Sequence, residues 1–168
     1  MSRSTSELVE LMAQRSTAVA SDVSEPLARF FKETRDLCGG DLDKAQVMLE
    51  VIVRANQHPG YRQLKRGQLE AGGQAALPSL GANMSSIAAS TGIPKESVRR
   101  KVLELIDAGW VIREGRNLHY SLEGYRAIAP IREAMFRMYA RAYEVVAGLI
   151  DETAPTGETP IGAVREAV

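Results

Sequence analysis

Apolar residues recur every three to four positions through the first third of the chain, the spacing that gathers side chains on one face of an α-helix. Ser24 before Glu25-Pro26 is a typical helix start, because serine caps helices and proline is tolerated in the first turn. The pattern predicts three helices: one over about 6–20, one from Ser24 to Gly39-Gly40, and one from Asp41 to His58-Pro59-Gly60.

The helical pattern is lost over residues 61–83, where glycines and a proline interrupt the chain. A short strand is expected near residues 76–80. Long irregular connections inside compact domains are uncommon and often functional, and Arg62, Lys65 and Arg66 add positive charge here. We expect a solvated loop; the alternative is a segment that contacts a DNA backbone or a ligand.

Residues 84–108 have the order of side chains that two helices joined by a tight turn require. Ser85 can cap a short first helix built from small residues. Gly92 stands where the turn must be tight, Ile93 can fill the space between the helices, and Pro94 opens the second helix in its first turn. This order predicts a helix-turn-helix.

The second helix of this pair has one apolar face and one basic face. At about 100° per residue, its apolar positions gather on one side, while Arg100 falls nearly opposite and Arg99 and Lys101 flank it. Three consecutive cations near the start of a well-packed helix suit phosphates and the guanine edges of a major groove. The alternative is a solvated charged face. The predicted apolar face comprises Val98, Val102, Leu105 and Ile106.

A short hairpin is predicted directly after this helix. Gly109 is the residue expected at a left-handed helix end. Strands over residues 110–114 and 118–122 follow, joined by a turn at Gly115-Arg116-Asn117. A hairpin in this position is a wing, and its tip would bring Arg116 to a minor groove or a phosphate.

Residues 85–124 resemble the winged helix-turn-helix of bacterial transcription regulators. The stretch over residues 91–102, followed by 105–111, is similar to the DNA-reading heads of both MarR-type and GntR-type proteins. Helices before and after the winged unit make the layout closer to the MarR type. The resemblance implies base contacts by the second helix, through Lys95, Ser97, Arg99 and Arg100, and a wing contact by Arg116. The predicted DNA-contacting set is Ser85, Ser86, Pro94, Lys95, Glu96, Ser97, Arg99, Arg100, Lys101, Arg116 and Asn117.

A last long helix is predicted from Ile131 to Ile150, after Pro130. It carries two neighbouring apolar seams, whereas an ordinary surface helix needs one. Two seams favour partners on two sides, the N-terminal helices of the same chain and a second copy of the chain; the alternative is a helix buried within one monomer. The first seam is Ile131, Met135, Met138, Ala142, Val145 and Leu149, and the second seam is Phe136, Tyr139, Tyr143, Val146 and Ile150. The predicted homodimer interface is Ile131, Met135, Met138, Tyr139, Ala142, Val145 and Leu149, with Leu8, Leu11 and Met12 as additional candidates.

Composition leaves this picture unchanged: 45% of the residues are hydrophobic and 25% charged, ordinary values for a folded protein. Basic and acidic residues balance at 21 each, but phosphate binding depends on local charge. Residues 94–116 carry six basic and four acidic side chains, a net charge of +2.

Cys38 is the only cysteine. We expect a buried, inert thiol, with a redox sensor as the alternative. No stretch approaches the roughly 20 apolar residues of a membrane span, and no secretory signal is present, so a cytoplasmic protein is expected.

Motifs for catalysis or metal binding are missing from the sequence. His58 and His119 are the only histidines, neither stands at metal-ligand spacing, and no glycine-rich phosphate loop, nucleophile elbow or Ser-His-Asp arrangement is present. We therefore expect no enzyme and no cofactor, but a mainly α-helical, homodimeric, sequence-specific regulator of transcription that binds double-stranded DNA. The alternative is a winged-helix protein-interaction module whose basic helix serves an acidic partner. The expected division of the chain is N-terminal helices over 1–60, an irregular loop over 61–83, the winged helix-turn-helix over 84–124, a dimerisation helix over 125–150 and a flexible tail over 151–168.

Overall fold

The computed structural model describes residues 4–64, 69 and 76–152, and within them the chain is mainly helical with one two-stranded antiparallel hairpin. Lys65, Arg66 and most of the predicted tail lie outside the described residues. In chain order the described elements are α1 (Thr5–Gln14), α2 (Ser16–Leu37), α3 (Leu42–Asn56), α4 (Pro59–Arg62), α5 (Met84–Thr91), α6 (Lys95–Asp107), β1 (Val111–Glu114), β2 (Asn117–Tyr120), α7 (Leu122–Ala127) and α8 (Ala129–Glu152).

Two compact units make up the chain. The central unit comprises residues 33–131, and the terminal unit comprises residues 1–32 together with 132–168. The central unit contains α3 to α7 and the hairpin, and the terminal unit contains α1, most of α2 and most of α8. None of the described helices combines the length and the apolar character needed to cross a lipid bilayer.

The boundaries of the N-terminal helices differ from the prediction: the helix expected over about 6–20 ends at Gln14, and the next helix begins at Ser16. Ser4 caps α1, since its hydroxyl accepts a hydrogen bond from the Glu7 amide and the Glu7 carboxylate accepts one from the Ser4 amide. The predicted helix start at Ser24 is wrong, because α2 runs through this point with Pro26 inside it. The Ser24 hydroxyl donates to the carbonyl of Ala20 in the preceding turn, so it does not cap a new helix.

The predicted boundaries of α3 are confirmed, but the segment after it is more ordered than expected. Gly39 and Gly40 both adopt positive φ after α2, and the Asp41 carboxylate accepts a hydrogen bond from the Lys44 amide at the start of α3. Beyond α3, the ring nitrogen Nδ1 of His58 accepts a hydrogen bond from the Gly60 amide at 3.0 Å. His58 thereby caps the short helix α4, whose last two residues fall in the segment predicted to be irregular.

Leu77 and Ala82 in the segment before α5 hydrogen-bond to β2, on either side of a bend at Pro78 and a positive φ at Gly81. The Leu77 amide donates to the Tyr120 carbonyl at 2.8 Å, and Ala82 and Leu118 exchange both backbone hydrogen bonds at 3.0 and 2.7 Å. The strand expected near 76–80 is not formed, and this segment has two isolated bridges instead, Ala76↔Ser121 and Ala82↔Leu118. In the hairpin itself, β1 and β2 pair from Val111↔Tyr120 to Glu114↔Asn117.

The core of the central unit lies where α3, α5, α6 and the hairpin meet. α6 packs against both α3 and α5, and α3 also packs against β2. The predicted apolar face of α6 is confirmed: Val98, Val102 and Leu105 are fully buried and Ile106 is half-buried. Each such side chain stabilises the fold by about 1.5–3 kcal/mol, so this face dictates which side of α6 is left to solvent.

Candidate nucleic-acid interface

The turn between α5 and α6 is built by backbone conformation and one capping pair. The predicted cap by Ser85 is wrong: Asn83 caps α5, its side chain accepting from the Ser86 amide at 2.9 Å while the Ser86 hydroxyl accepts from the Asn83 amide at 3.2 Å. The side chains of Asn83 and Ser86 thus accept hydrogen bonds from backbone amides at the start of α5. Ser85 makes neither of these capping contacts and is exposed in the first turn. Gly92 then adopts φ +73°, and Ile93 is buried between the helices as predicted.

α6 begins at Lys95 with Pro94 as its N-terminal cap residue, and its first two turns carry the exposed polar face. Lys95, Glu96, Arg99 and Arg100 are exposed, as is Pro94, and Ser97 is half-buried. Further along the same face, Leu103, Glu104 and Asp107 complete a shallow surface groove. The cations that the sequence placed opposite the core therefore share one solvent-facing surface, with the exception of Lys101.

Lys101 is buried, with 8% of its surface exposed, and is neutralised within the central unit. Its ammonium group forms ion pairs with the carboxylates of Asp41 and, at 2.9 Å, Glu104. The pKa of Lys101 lies above its ordinary value because both carboxylates hydrogen-bond to it, Asp41 foremost. Lys44 joins the network at 3.6 Å from Glu104. Lys101 is thus the one member of the predicted DNA-contacting set that is buried.

The sequence analysis missed this network although part of its signal was present. Lys101 and Glu104 are three positions apart, a spacing that brings side chains together on one helix. Asp41 is distant in sequence, and only the packing of α3 against α6 brings it to Lys101. Desolvation raises the pKa of Asp41, but hydrogen bonds from Lys101 and the Lys44 amide outweigh this effect, so its pKa is lowered.

An ion pair on the exposed face joins Glu96 and Arg99. The Nε of Arg99 lies 2.9 and 3.0 Å from the two carboxylate oxygens of Glu96, and its Nη2 lies 2.6 Å from Oε1. The hydrogen bond with Arg99 lowers the pKa of Glu96, and the same bond raises the pKa of Arg99. Both groups are therefore charged at neutral pH. Arg100, beside them, makes no ion pair within the described residues.

The hairpin presents two further arginines. Gly115 adopts φ +59° at its tip, next to the exposed Arg116 and Asn117. The Nε of Arg113 donates to the Gly115 carbonyl at 3.1 Å, which stabilises the turn. The side chain of His119 on β2 lies 3.8 Å from the Glu114 carboxylate.

Ser121 fastens the base of the hairpin to the end of α6. Its buried hydroxyl donates to the Gly109 carbonyl at 2.6 Å and accepts from the Gly124 amide at 2.8 Å. Gly109 adopts φ +74°, as expected after α6. The hydrogen bond to Gly109 attaches the base of the hairpin to the end of α6.

The predicted dimer residues of α8 are unequally exposed. Tyr139 is 58% exposed, and its second-seam neighbours Phe136 and Tyr143 are 56% and 67% exposed. Leu149 is buried, and the other members of the predicted interface, Ile131, Met135, Met138, Ala142 and Val145, are half-buried. Within the terminal unit an Arg141–Asp22 hydrogen bond of 2.6 Å joins α8 to α2. Within the second seam of α8, the three aromatic residues are thus exposed, whereas Val146 and Ile150 are half-buried.

Cofactor chemistry has few candidates. Within residues 4–64, 69 and 76–152, no group of three or more His, Cys, Asp or Glu side chains is placed to hold a metal ion. Cys38 is buried as expected, and burial raises the pKa of its thiol although Lys44 acts in the opposite direction.

Comparison with protein-family models, curated proteins and solved structures finds no match to this chain.

Proposed function

We propose that the central unit is a winged helix-turn-helix domain and that the protein is a homodimeric, sequence-specific regulator of transcription that binds double-stranded DNA. The observation that carries the proposal is the order of elements around α6. The order is a helix (α3), a segment with isolated bridges to the hairpin (residues 76–82), two helices joined by a tight turn (α5 and α6) and the hairpin itself (β1–β2). In such a unit the second helix of the pair enters the major groove.

The charge of the exposed surfaces favours a nucleic-acid partner. Lys95, Arg99 and Arg100 lie on the exposed face of α6, and Arg113 and Arg116 are exposed on the hairpin. Arginine pairs well with phosphate and reads guanine through two parallel hydrogen bonds. We assign base reading to α6 and backbone contact to Arg116.

In this proposal Lys101 does not contact DNA, although the sequence analysis placed it in the DNA-contacting set. Because its ammonium group is held by Asp41 and Glu104, it has no free charge to offer a phosphate. We assign it to the attachment of α6 to the start of α3. The predicted contact set then loses Lys101 and keeps its exposed and half-buried members.

The homodimer is supported by the exposed second seam of α8. Phe136, Tyr139 and Tyr143 lie three and four positions apart, so they share one helix face, and more than half of each side chain is exposed. Aromatic residues are enriched in the cores of protein interfaces. Two copies joined by a two-fold axis would read a palindrome with half-sites about one helical turn apart.

The test is selection of bound sequences from a random duplex pool, followed by titration of the selected site against salt. We expect a palindromic consensus and a log affinity that falls with log salt at a slope of several units, because several phosphates are neutralised. Absence of duplex binding at low salt would refute the proposal. Binding to an acidic protein surface in its place would favour an interaction module.

A further inference from the structure

The ion pair between Glu96 and Arg99 leaves one edge of the arginine free. A guanidinium carries five N–H donors, arranged in a plane. Glu96 occupies the side of this plane formed by Nε and Nη2, with three contacts between 2.6 and 3.0 Å. The end of the plane, formed by Nη1 and the second N–H of Nη2, stays available. Its two parallel donors match the O6 and N7 acceptors of guanine.

The pair also restricts where Arg99 can go. Arg99 and Glu96 are both exposed, so nothing else in the described part of the central unit constrains the arginine as the carboxylate does. An arginine held in one geometry loses less side-chain freedom when it binds a base. Arg100 makes no such pair within the described residues and is free to follow a phosphate. We therefore expect Arg99 to contact a base and Arg100 to contact a phosphate.

Glu96 has a second effect through its charge. A carboxylate in the first turn of the helix that approaches DNA repels phosphates, and this repulsion acts on every sequence alike. The same residue thus weakens non-specific binding by its charge and, by holding Arg99, favours one base pair.

We propose that Glu96 is the specificity-determining residue of α6: it holds Arg99 so that its free edge reads a guanine of a G·C pair in each half-site. This inference rests on the proposed function, in which α6 enters the major groove. Glu96 acts through Arg99 and is therefore a positioning residue.

The experiment compares the affinity of variants for the selected site, for the same site with the G·C pair changed to A·T, and for a random duplex. For the unaltered protein we expect about 5- to 150-fold discrimination between G·C and A·T at that pair. Glu96→Gln should reduce this ratio several-fold while increasing affinity for random duplex. Arg99→Lys, which keeps the charge but loses the planar edge, should reduce the ratio to a similar extent.

Asp107→Asn is the matched control, because it removes one negative charge from the same exposed face of α6 but lies two turns from Arg99. It should increase affinity for all duplexes without changing discrimination. If Glu96→Gln behaves like Asp107→Asn, Glu96 is only a solvated charge and the inference is overturned. If Arg99→Lys leaves base preference intact at every position, it is overturned as well. A protein that binds no duplex at all would refute the proposed function itself, which is a separate result. Thermal unfolding of each variant verifies that the exposed substitutions leave the fold intact.

Discussion

Gly124 in α7 lies against the backbone of Trp110, and we predict that replacing it with alanine destabilises the central unit. A Cβ at this position would lie 3.0 Å from the Trp110 Cα and carbonyl carbon, and closer still to the carbonyl oxygen. These are backbone atoms, so no side-chain rotation relieves the contact. The same carbonyl accepts a hydrogen bond from the Ser121 amide at 3.2 Å, and a displacement would weaken the attachment of the hairpin.

The expected change in the free energy of unfolding for Gly124→Ala combines two opposing effects. Overpacking in a well-packed core costs about 1–3 kcal/mol and occasionally more. Alanine also restricts the unfolded chain, which returns about 0.4–1 kcal/mol. Because the contact is with backbone, we place the cost in the upper half of its range and expect a net loss of about 2 kcal/mol. For a domain of this size, that loss lowers the Tm by roughly 8–16 °C.

The assay is urea or thermal unfolding followed by the fluorescence of Trp110, the only tryptophan of the chain. Gly148→Ala is the matched control, since Gly148 lies in α8 with no heavy atom within 4 Å of the added Cβ. Alanine should stabilise that helix by about 0.5–1 kcal/mol. If Gly124→Ala is neutral or stabilising, the close approach of α7 to Trp110 is not a feature of the folded protein.

Three further predictions follow from the interface, the terminal unit and the buried ion network. Arg116→Ala and Arg100→Ala should each weaken binding to all duplexes by similar factors and reduce the salt slope of the homodimer by about two units, because each subunit loses one phosphate contact; titration against salt measures both effects, and a change of base preference in either variant would contradict these assignments. Tyr139→Glu with Tyr143→Glu should give folded monomers by sedimentation, and an unaltered protein that is already monomeric at micromolar concentration would remove the dimer from the proposal. The pKa of Asp41 is lowered on folding, so its contribution to stability is present above about pH 4, the unperturbed value, and is lost as pH falls through the lower folded value. Asp41→Asn should therefore flatten this part of the acid dependence of the urea midpoint, and an unchanged pH profile would count against the Asp41–Lys101 pair.

The capping residues show that local sequence signals can compete as predictors of where a helix begins. Ser85 and Asn83 are both good caps, and the sequence analysis chose the wrong one because it did not weigh the reciprocal pair of Asn83 and Ser86. Ser24 before Pro26 has every local mark of a helix start, yet α2 continues through it. Competing local signals of similar strength differ by only about 1 kcal/mol, so neighbouring contacts decide between them.

The sequence by itself determined the core face of α6, the turns at Gly92 and Gly109, and the hairpin that follows. These features depend on helical periodicity and on backbone conformations that glycine tolerates, and both are local properties. Tertiary structure decided that Leu77 and Ala82 hydrogen-bond to β2, that Lys101 is buried beside Asp41, and that the tyrosines of the second seam stay exposed. The reason is physical: Arg99, Arg100 and Lys101 are consecutive cations in the sequence, but the packing of α6 against α3 buries Lys101 beside Asp41, whose carboxylate joins that of Glu104 in neutralising it.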